Sequence, residues 1–178
     1  MKSLVLITAS FAILGLSHAR GEDKPSDGAR ERVELAKRIY KGRIVKGLEL
    51  RFAPPQVELN NTSEDPLLNE VMAEELHKWS VRWMEAECDA AVDQAGRVVA
   101  AQTHLDRMMA VESGKMARKE LADHPLLKEI DKFRKGFVDA GVEALREINP
   151  AAASRYRDVA RYFRLEAEAR LAREKAGR

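Results

Sequence analysis

An all-α fold is what this chain of 178 residues predicts: four to five antiparallel amphipathic helices, as a bundle or as extended helical hairpins, with no sheet. Three observations carry that expectation. Charged residues make up 34% of the chain and aromatics only 6%, with few glycines and prolines, a balance typical of long amphipathic helices and foreign to a β-sandwich. Apolar residues recur at three- and four-residue steps through most of the sequence, whereas period-2 alternation is absent. The prolines fall where those periodic runs stop.

The first 19 residues read as a secretory signal peptide. Lys2 supplies a short positive region, Leu4 to Leu16 an apolar stretch, and Ser17-His18-Ala19 small residues at the −3 and −1 positions of a cleavage site after Ala19. That stretch is shorter than the roughly 20 residues a membrane-spanning helix needs, and no second run of that length follows. The expected mature chain is therefore soluble, without a transmembrane segment, and exported to the periplasm or beyond. Its 159 residues suit one domain with a continuous core.

Residues 20–28 lack large apolar side chains and read as a disordered leader before a single helical domain at 29–172. Val33, Ala36, Ile39, Tyr40, Ile44, Val45 and Leu48 define helix one, from about Ala29 to Arg51, with Gly42 and Gly47 each weakening its second half by about 1 kcal/mol relative to alanine. Ala53-Pro54-Pro55 stops it. Asp65-Pro66 looks like a cap followed by proline at the first helical position of helix two, whose stripe is Leu68, Met72, Leu76, Trp79, Trp83, Ala86 and Ala90. Asp93 is the expected cap of helix three, with Val98, Ala101, Leu105, Met108 and Met116 on its stripe, and the short link between helices two and three implies an antiparallel hairpin. After His124-Pro125, helix four carries Leu127, Ile130, Phe133, Phe137, Gly141, Val142, Leu145 and Ile148. Asn149-Pro150 repeats the cap-and-proline signal for helix five, with Tyr156, Val159, Ala160, Phe163, Ala167 and Leu171 on its face, and residues 173–178 form a frayed charged tail.

Net charge is +2, falling to +1 once Lys2 is removed, so no global field draws in nucleic acid. The distribution is uneven. Residues 20–53 carry ten basic and six acidic side chains, residues 54–91 two and nine, and residues 149–178 eight and four. The acidic segment either faces the basic ones within the fold, or leaves a basic strip for an anionic partner. Cys88 is the only cysteine, so no intrachain disulfide forms and stability rests on packing. A shift of 81 residues aligns Leu35-Ala36-Lys37-Arg38 with Met116-Ala117-Arg118-Lys119, Phe52 with Phe133 and Glu85-Ala86-Glu87 with Glu166-Ala167-Glu168, as a duplicated hairpin would.

Three segments together, Leu76 to Ala91 with Lys78-Trp79-Ser80-Val81-Arg82-Trp83, His104-Leu105-Asp106-Arg107-Met108, and Ala160-Arg161-Tyr162-Phe163-Arg164-Leu165-Glu166-Ala167-Glu168, resemble a group of uncharacterised exported helical proteins of planctomycete-type bacteria. They are more distantly similar to the helical hairpins of outer-membrane efflux channel proteins. The likeness covers about half of the mature chain. It implies a location in a bacterial envelope and carries no assigned activity; the efflux family would also imply membrane strands, which this sequence lacks, so a channel is not implied.

Glu74 and His77, in Glu74-Glu75-Leu76-His77, place a carboxylate and an imidazole one turn apart, as carboxylate-bridged di-iron bundles require. Such bundles need a second copy of the motif and further glutamates, but His104 and His124 are preceded at i−3 by Ala101 and Leu121. Cys88 shares nearly the same helical face as His77 but lies eleven residues away, about 16 Å along the helix, too far to share an ion. Flanked by Glu87 and Asp89, Cys88 is no activated nucleophile, and neither a phosphate loop nor a serine elbow is present. No catalytic residue, metal or cofactor is therefore expected. Trp79 and Trp83, four residues apart, either anchor the core or form a partner-binding patch. The sequence thus points to a non-enzymatic structural or protein-interaction role in the bacterial cell envelope, with a protein partner or through self-association; the alternatives are a periplasmic holdase-like or stress-sensing protein, or a metal-binding helical bundle.

Overall fold

The computed structural model describes residues 27–52, 65, 67–133, 146–147 and 149–177. The signal peptide, most of the leader, Pro54-Pro55, Pro66 and the stretch of helix four holding Phe137, Gly141, Val142, Leu145 and Ile148 lie outside them. Among the described residues there are six helices and no strand: α1 (Asp27–Arg51), α2 (Glu70–Ala90), α3 (Gln94–Glu112), α4 (Met116–Glu120), α5 (Pro125–Phe133) and α6 (Pro150–Lys175). The all-α fold is as expected.

Side-chain contacts fix how the long helices run. Arg32 pairs with Asp89, Arg43 with Glu75 and Arg51 with Asp65, so α1 and α2 are antiparallel. Ser80 meets Arg107 while Cys88 lies against the Arg97 carbonyl, so α2 and α3 are antiparallel too. Tyr156 donates to the Val111 carbonyl and Gln94 to that of Glu174, giving the same relation between α3 and α6. By contrast Arg155 pairs with Glu70 and Arg170 with Glu85, so α6 runs parallel to α2. These cross-helix pairs also answer the charge pattern: acidic groups of the 54–91 segment meet basic groups of α1 and α6 within one chain.

The core is built largely on small residues. Ala36, Ala73, Ala86, Ala100, Ala101, Ala153, Ala160 and Ala167 are all buried, which lets backbones approach closely around the larger Tyr40, Ile44, Leu48, Leu76, Met84, Met108 and Tyr156. Gly47 belongs to the same scheme. A Cβ there would stand 2.7 Å from Leu67 Cδ1 and 3.2 Å from Met72 Cε, whereas one on Gly42 meets nothing within 4 Å. One of the two glycines expected to weaken α1 is therefore required for close approach.

Several boundaries differ from expectation, each for a local reason. Helix two is capped by Asn69, whose Oδ1 accepts from Met72 N at 2.8 Å, not by Asp65. Asp65 instead accepts from Leu67 N and Leu68 N and is held by the nearly buried Arg51 at 3.0 Å, turning Leu67 and Leu68 into the core. Asp93 and Asn149 cap α3 and α6 as expected, accepting from Gly96 N and Ala152 N. Helix three does not reach Met116: Gly114 at φ 70° ends the run, and Met116 opens α4 as a separate buried residue. Asp27 and Gly28, assigned to the leader, begin α1, and Arg173 to Lys175, assigned to the tail, are the last turn of α6. The 81-residue shift superposes continuous α1 on a stretch broken among α3, α4 and α5, so the described helices do not repeat a hairpin.

Candidate functional site

The most polar part of the interior lies where α2 and α3 face each other. His104 and Arg107 are one turn apart on α3 and point at Ser80 and Trp83 on α2, because the antiparallel pairing brings the middle of one helix to the middle of the other. Arg107 is fully buried. Its Nε donates to Ser80 Oγ at 2.8 Å, one terminal nitrogen reaches the Ser80 carbonyl at 3.4 Å, and its guanidinium carbon stands 3.9 Å from the Trp83 ring centroid. Glu87 supplies the countercharge: Oε1 accepts from Trp83 Nε1 at 2.9 Å, while Oε2 is 3.9 Å from Arg107, an electrostatic contact without a hydrogen bond. Tyr40 of α1 closes the far side, edge-on to Trp83 at 5.8 Å between centroids.

Protonation states follow from burial. His104 is held far below the usual imidazole value, at about 3, first by burial and then by Arg107, His77 and Arg170. It is neutral, and Ser80 links the two groups: its Oγ accepts from Arg107 Nε and stands 2.8 Å from His104 Nδ1, donating to it in the tautomer that carries the imidazole proton on Nε2. Burial also raises Glu87, an effect opposed by Arg107 and the Trp83 hydrogen bond. The Tyr40 and Tyr156 phenols are pushed up by burial and stay protonated.

The sequence reading found no nucleophile–base pair, yet Ser80 and His104 form one by distance. Both are sealed, at 0% and 1% exposure, and an imidazole titrating near 3 is a poor base at neutral pH. Their chemistry is that of a buried polar network tying the helix pair together, in which Arg107 Nη1, Glu87 Oε2 and the Tyr40 hydroxyl are left without a hydrogen bond.

The residues singled out in advance are scattered. Glu74 is exposed on α2. His77 is half-buried, stacked on Phe163 of α6 with centroids 4.0 Å apart at 5°, its Nε2 3.4 Å from Glu166 Oε2 but not aligned for a hydrogen bond. Among the described residues no group of three or more His, Cys, Asp or Glu side chains is placed to hold a metal ion. Cys88 is partly exposed, and burial is the first cause raising its thiol, ahead of Glu174. Trp83 is a correction to the patch expectation: at 7% exposure, with Arg107 over its ring, it anchors the core and offers no face to a partner. Trp79 is half-buried, packed against the core with Arg82 4.6 Å from its ring centroid. Ser80, His104, Arg107, Glu87 and Tyr40 went unremarked as a group. The available signal was the spacing of His104 and Arg107, which falls on the apolar stripe of α3 beside Ala101, Leu105 and Met108.

A concave apolar surface lies beside this network. Small side chains at the end of α2 and the start of α3, Ala90, Ala91, Gly96 and Ala100, leave a groove of about 540 Å³ against Val33 of α1. Val99 lines it and is 63% exposed, with Val92 exposed at the hairpin turn. No described helix is long and apolar enough to cross a membrane.

These features define an all-α protein organised around a buried arginine–serine–histidine network, with an apolar groove at one end of its central hairpin. No protein-family model, curated protein or solved structure matches the chain.

Proposed function

We propose that this chain is a non-enzymatic helical protein of the bacterial cell envelope that acts by contact with a protein partner or with a second copy of itself. The observation that carries the reading is the division of labour between its two unusual regions. The polar groups that resemble reacting groups are closed inside the hairpin, where their hydrogen bonds are spent on each other. The open concave surface, in contrast, is apolar and presents the exposed Val99. An apolar groove edged by charge, here Arg30, Glu34 and Glu87, fits the anatomy of a binding surface better than that of a reaction site.

A photo-crosslinking residue placed at Val99 in the native envelope tests the proposal, with Glu49, exposed on α1 and outside the groove, as the control position. A discrete adduct from Val99 and none from Glu49 is expected. Its mass distinguishes a second copy from another protein. Identical labelling from both positions overturns the groove as the contact surface.

A further inference from the structure

Two imidazoles stand on the seam where α6 lies against the α2–α3 hairpin. His77 of α2 and His104 of α3 have ring centroids 5.9 Å apart, and Phe163 of α6 covers the first of them face to face. The charges that reach His77 are Glu166 and Arg170, both on α6. Those that reach His104 are Arg107 on its own helix, His77 on α2 and Arg170 on α6. Arg107 in turn faces Glu87 of α2, Tyr40 of α1 and Glu120 of α4. A proton on His104 therefore joins two arginines already present and one on His77 joins Arg170, with Glu166 the one carboxylate among the groups acting directly on the pair.

We propose that acidification releases α6 from the α2–α3 hairpin, with the His77–His104 seam as the trigger. In the tautomer with the proton on Nε2, protonating His104 removes its Nδ1 acceptor, so Ser80 loses its proton acceptor while still bound to Arg107. Admitting water at the seam relieves both faults, and the helix free to move is α6. The hairpin is tied by a three-residue link and by the Ser80–Arg107–Trp83 contacts. The attachments of α6 to α2 include the Phe163 stack and exposed ion pairs, Arg155 with Glu70 and Arg170 with Glu85, of the kind that contributes little, while on α3 release must also break the buried Tyr156–Val111 hydrogen bond and the Arg164–Glu112 pair. Release would uncover Tyr156, Ala160, Ala167 and Leu171, an apolar face hidden in the packed state.

The sign follows from the direction of the shifts. Both imidazoles lie below the ordinary 6.5 when packed, burial being the first cause, so the open state binds protons that the packed seam refuses. The seam is fully stable above about pH 6.5 and weakens as pH falls toward the packed-state value of about 3 for His104. Each histidine favours opening by up to about tenfold per pH unit within that window.

Hydrogen exchange read by mass spectrometry at about pH 7.5 and about pH 5, corrected for intrinsic rates, tests this in wild type and in the double variant His77→Gln, His104→Asn. Amides of 150–175 are expected to lose at least about tenfold more protection than those of 36–48 in the wild type, and this difference is expected to vanish in the variant. Equal loss in all helices, or an unchanged α6 response in the variant, overturns the proposal. Where the variant does not fold, imidazole proton resonances of the wild type decide: neutral-state shifts persisting in the packed form while α6 amides open support it, and titration of both rings near 6.5 without loss of α6 protection refutes it.

Discussion

The pairing of Arg107 with Glu87 can be measured as a coupling energy, and the geometry sets its size. The charges are 3.9 Å apart without a hydrogen bond. Coulomb's law at an effective dielectric of about 20 gives a ceiling of about 4 kcal/mol. Desolvating a fully buried guanidinium takes back much of that, and the Glu87 side chain keeps 28% exposure, so water still screens its side of the pair. The expected coupling in a double-mutant cycle is therefore about 1–3 kcal/mol. Glu87→Gln is the suitable partner change, because the amide oxygen can still accept from Trp83 Nε1 and only the charge is lost. Arg107→Met keeps the length of the side chain while removing the Ser80 hydrogen bond and the contact over Trp83, and should cost about 2–4 kcal/mol alone. Urea unfolding of the wild type, both single variants and the double variant, followed by circular dichroism, yields the cycle. A coupling below about 0.5 kcal/mol would refute the electrostatic account and leave Arg107 held by the indole and Ser80 alone.

The two tryptophans should separate in thermal unfolding. Trp83→Ala, at a closed position under Arg107, should cost about 3–5 kcal/mol and Trp79→Ala about 1–2 kcal/mol, so equal losses would contradict their assignment to interior and rim. The two glycines of α1 should behave oppositely: Gly42→Ala, open on all sides, should stabilise by about 0.5–1 kcal/mol, whereas the new methyl of Gly47→Ala meets Leu67 and should cost about 1–2 kcal/mol. Denaturant midpoints of the same sign for both would show that α1 packs otherwise. Export of the protein should give an intact mass starting at Arg20, following the charged start, apolar stretch and small residues before that position; a mature species retaining Met1 would remove the export signal from the reading.

What could be read from the residues was the part governed by period and punctuation. The stripe Ala36, Tyr40, Ile44 and Leu48 is buried, as are Leu76 and Trp83, Ala101 and Met108, and Tyr156, Ala160 and Leu171, because an apolar residue on every turn has one place to go. Asp93 and Asn149 were legible as caps for a local reason: each accepts from an amide three residues on, a bond that needs no tertiary partner. Asp65 does accept from the amides two and three residues on, but the turn it holds is pinned by Arg51 and not continued as helix, and Asn69 four residues later caps α2. Local rules rank such competitors equally. Packing chooses between them.

The polar interior was hidden by the same logic that revealed the core. On a helical wheel His104 and Arg107 sit among Ala101, Leu105 and Met108, and a charged residue on an apolar stripe reads as the stripe's ragged edge until its partner is known. That partner is a serine on another helix, a residue type without periodic signature, and it matters here because one hydroxyl can accept from a guanidinium and donate to an imidazole at once. Replacing Ser80 by alanine on paper leaves both the buried guanidinium and the buried imidazole short of a partner, although the apolar pattern of α2 would improve. The identity of position 80 is therefore set across the α2–α3 interface and not along α2. The same holds for Glu87: next to Cys88 it reads as a surface charge, yet its two oxygens are divided between an indole and an arginine, so that the groove-lining end of α2 is tied to the interior by one side chain. A change of charge at Glu87 should accordingly be felt both in the groove and at Arg107, because the same carboxylate lines the one and faces the other.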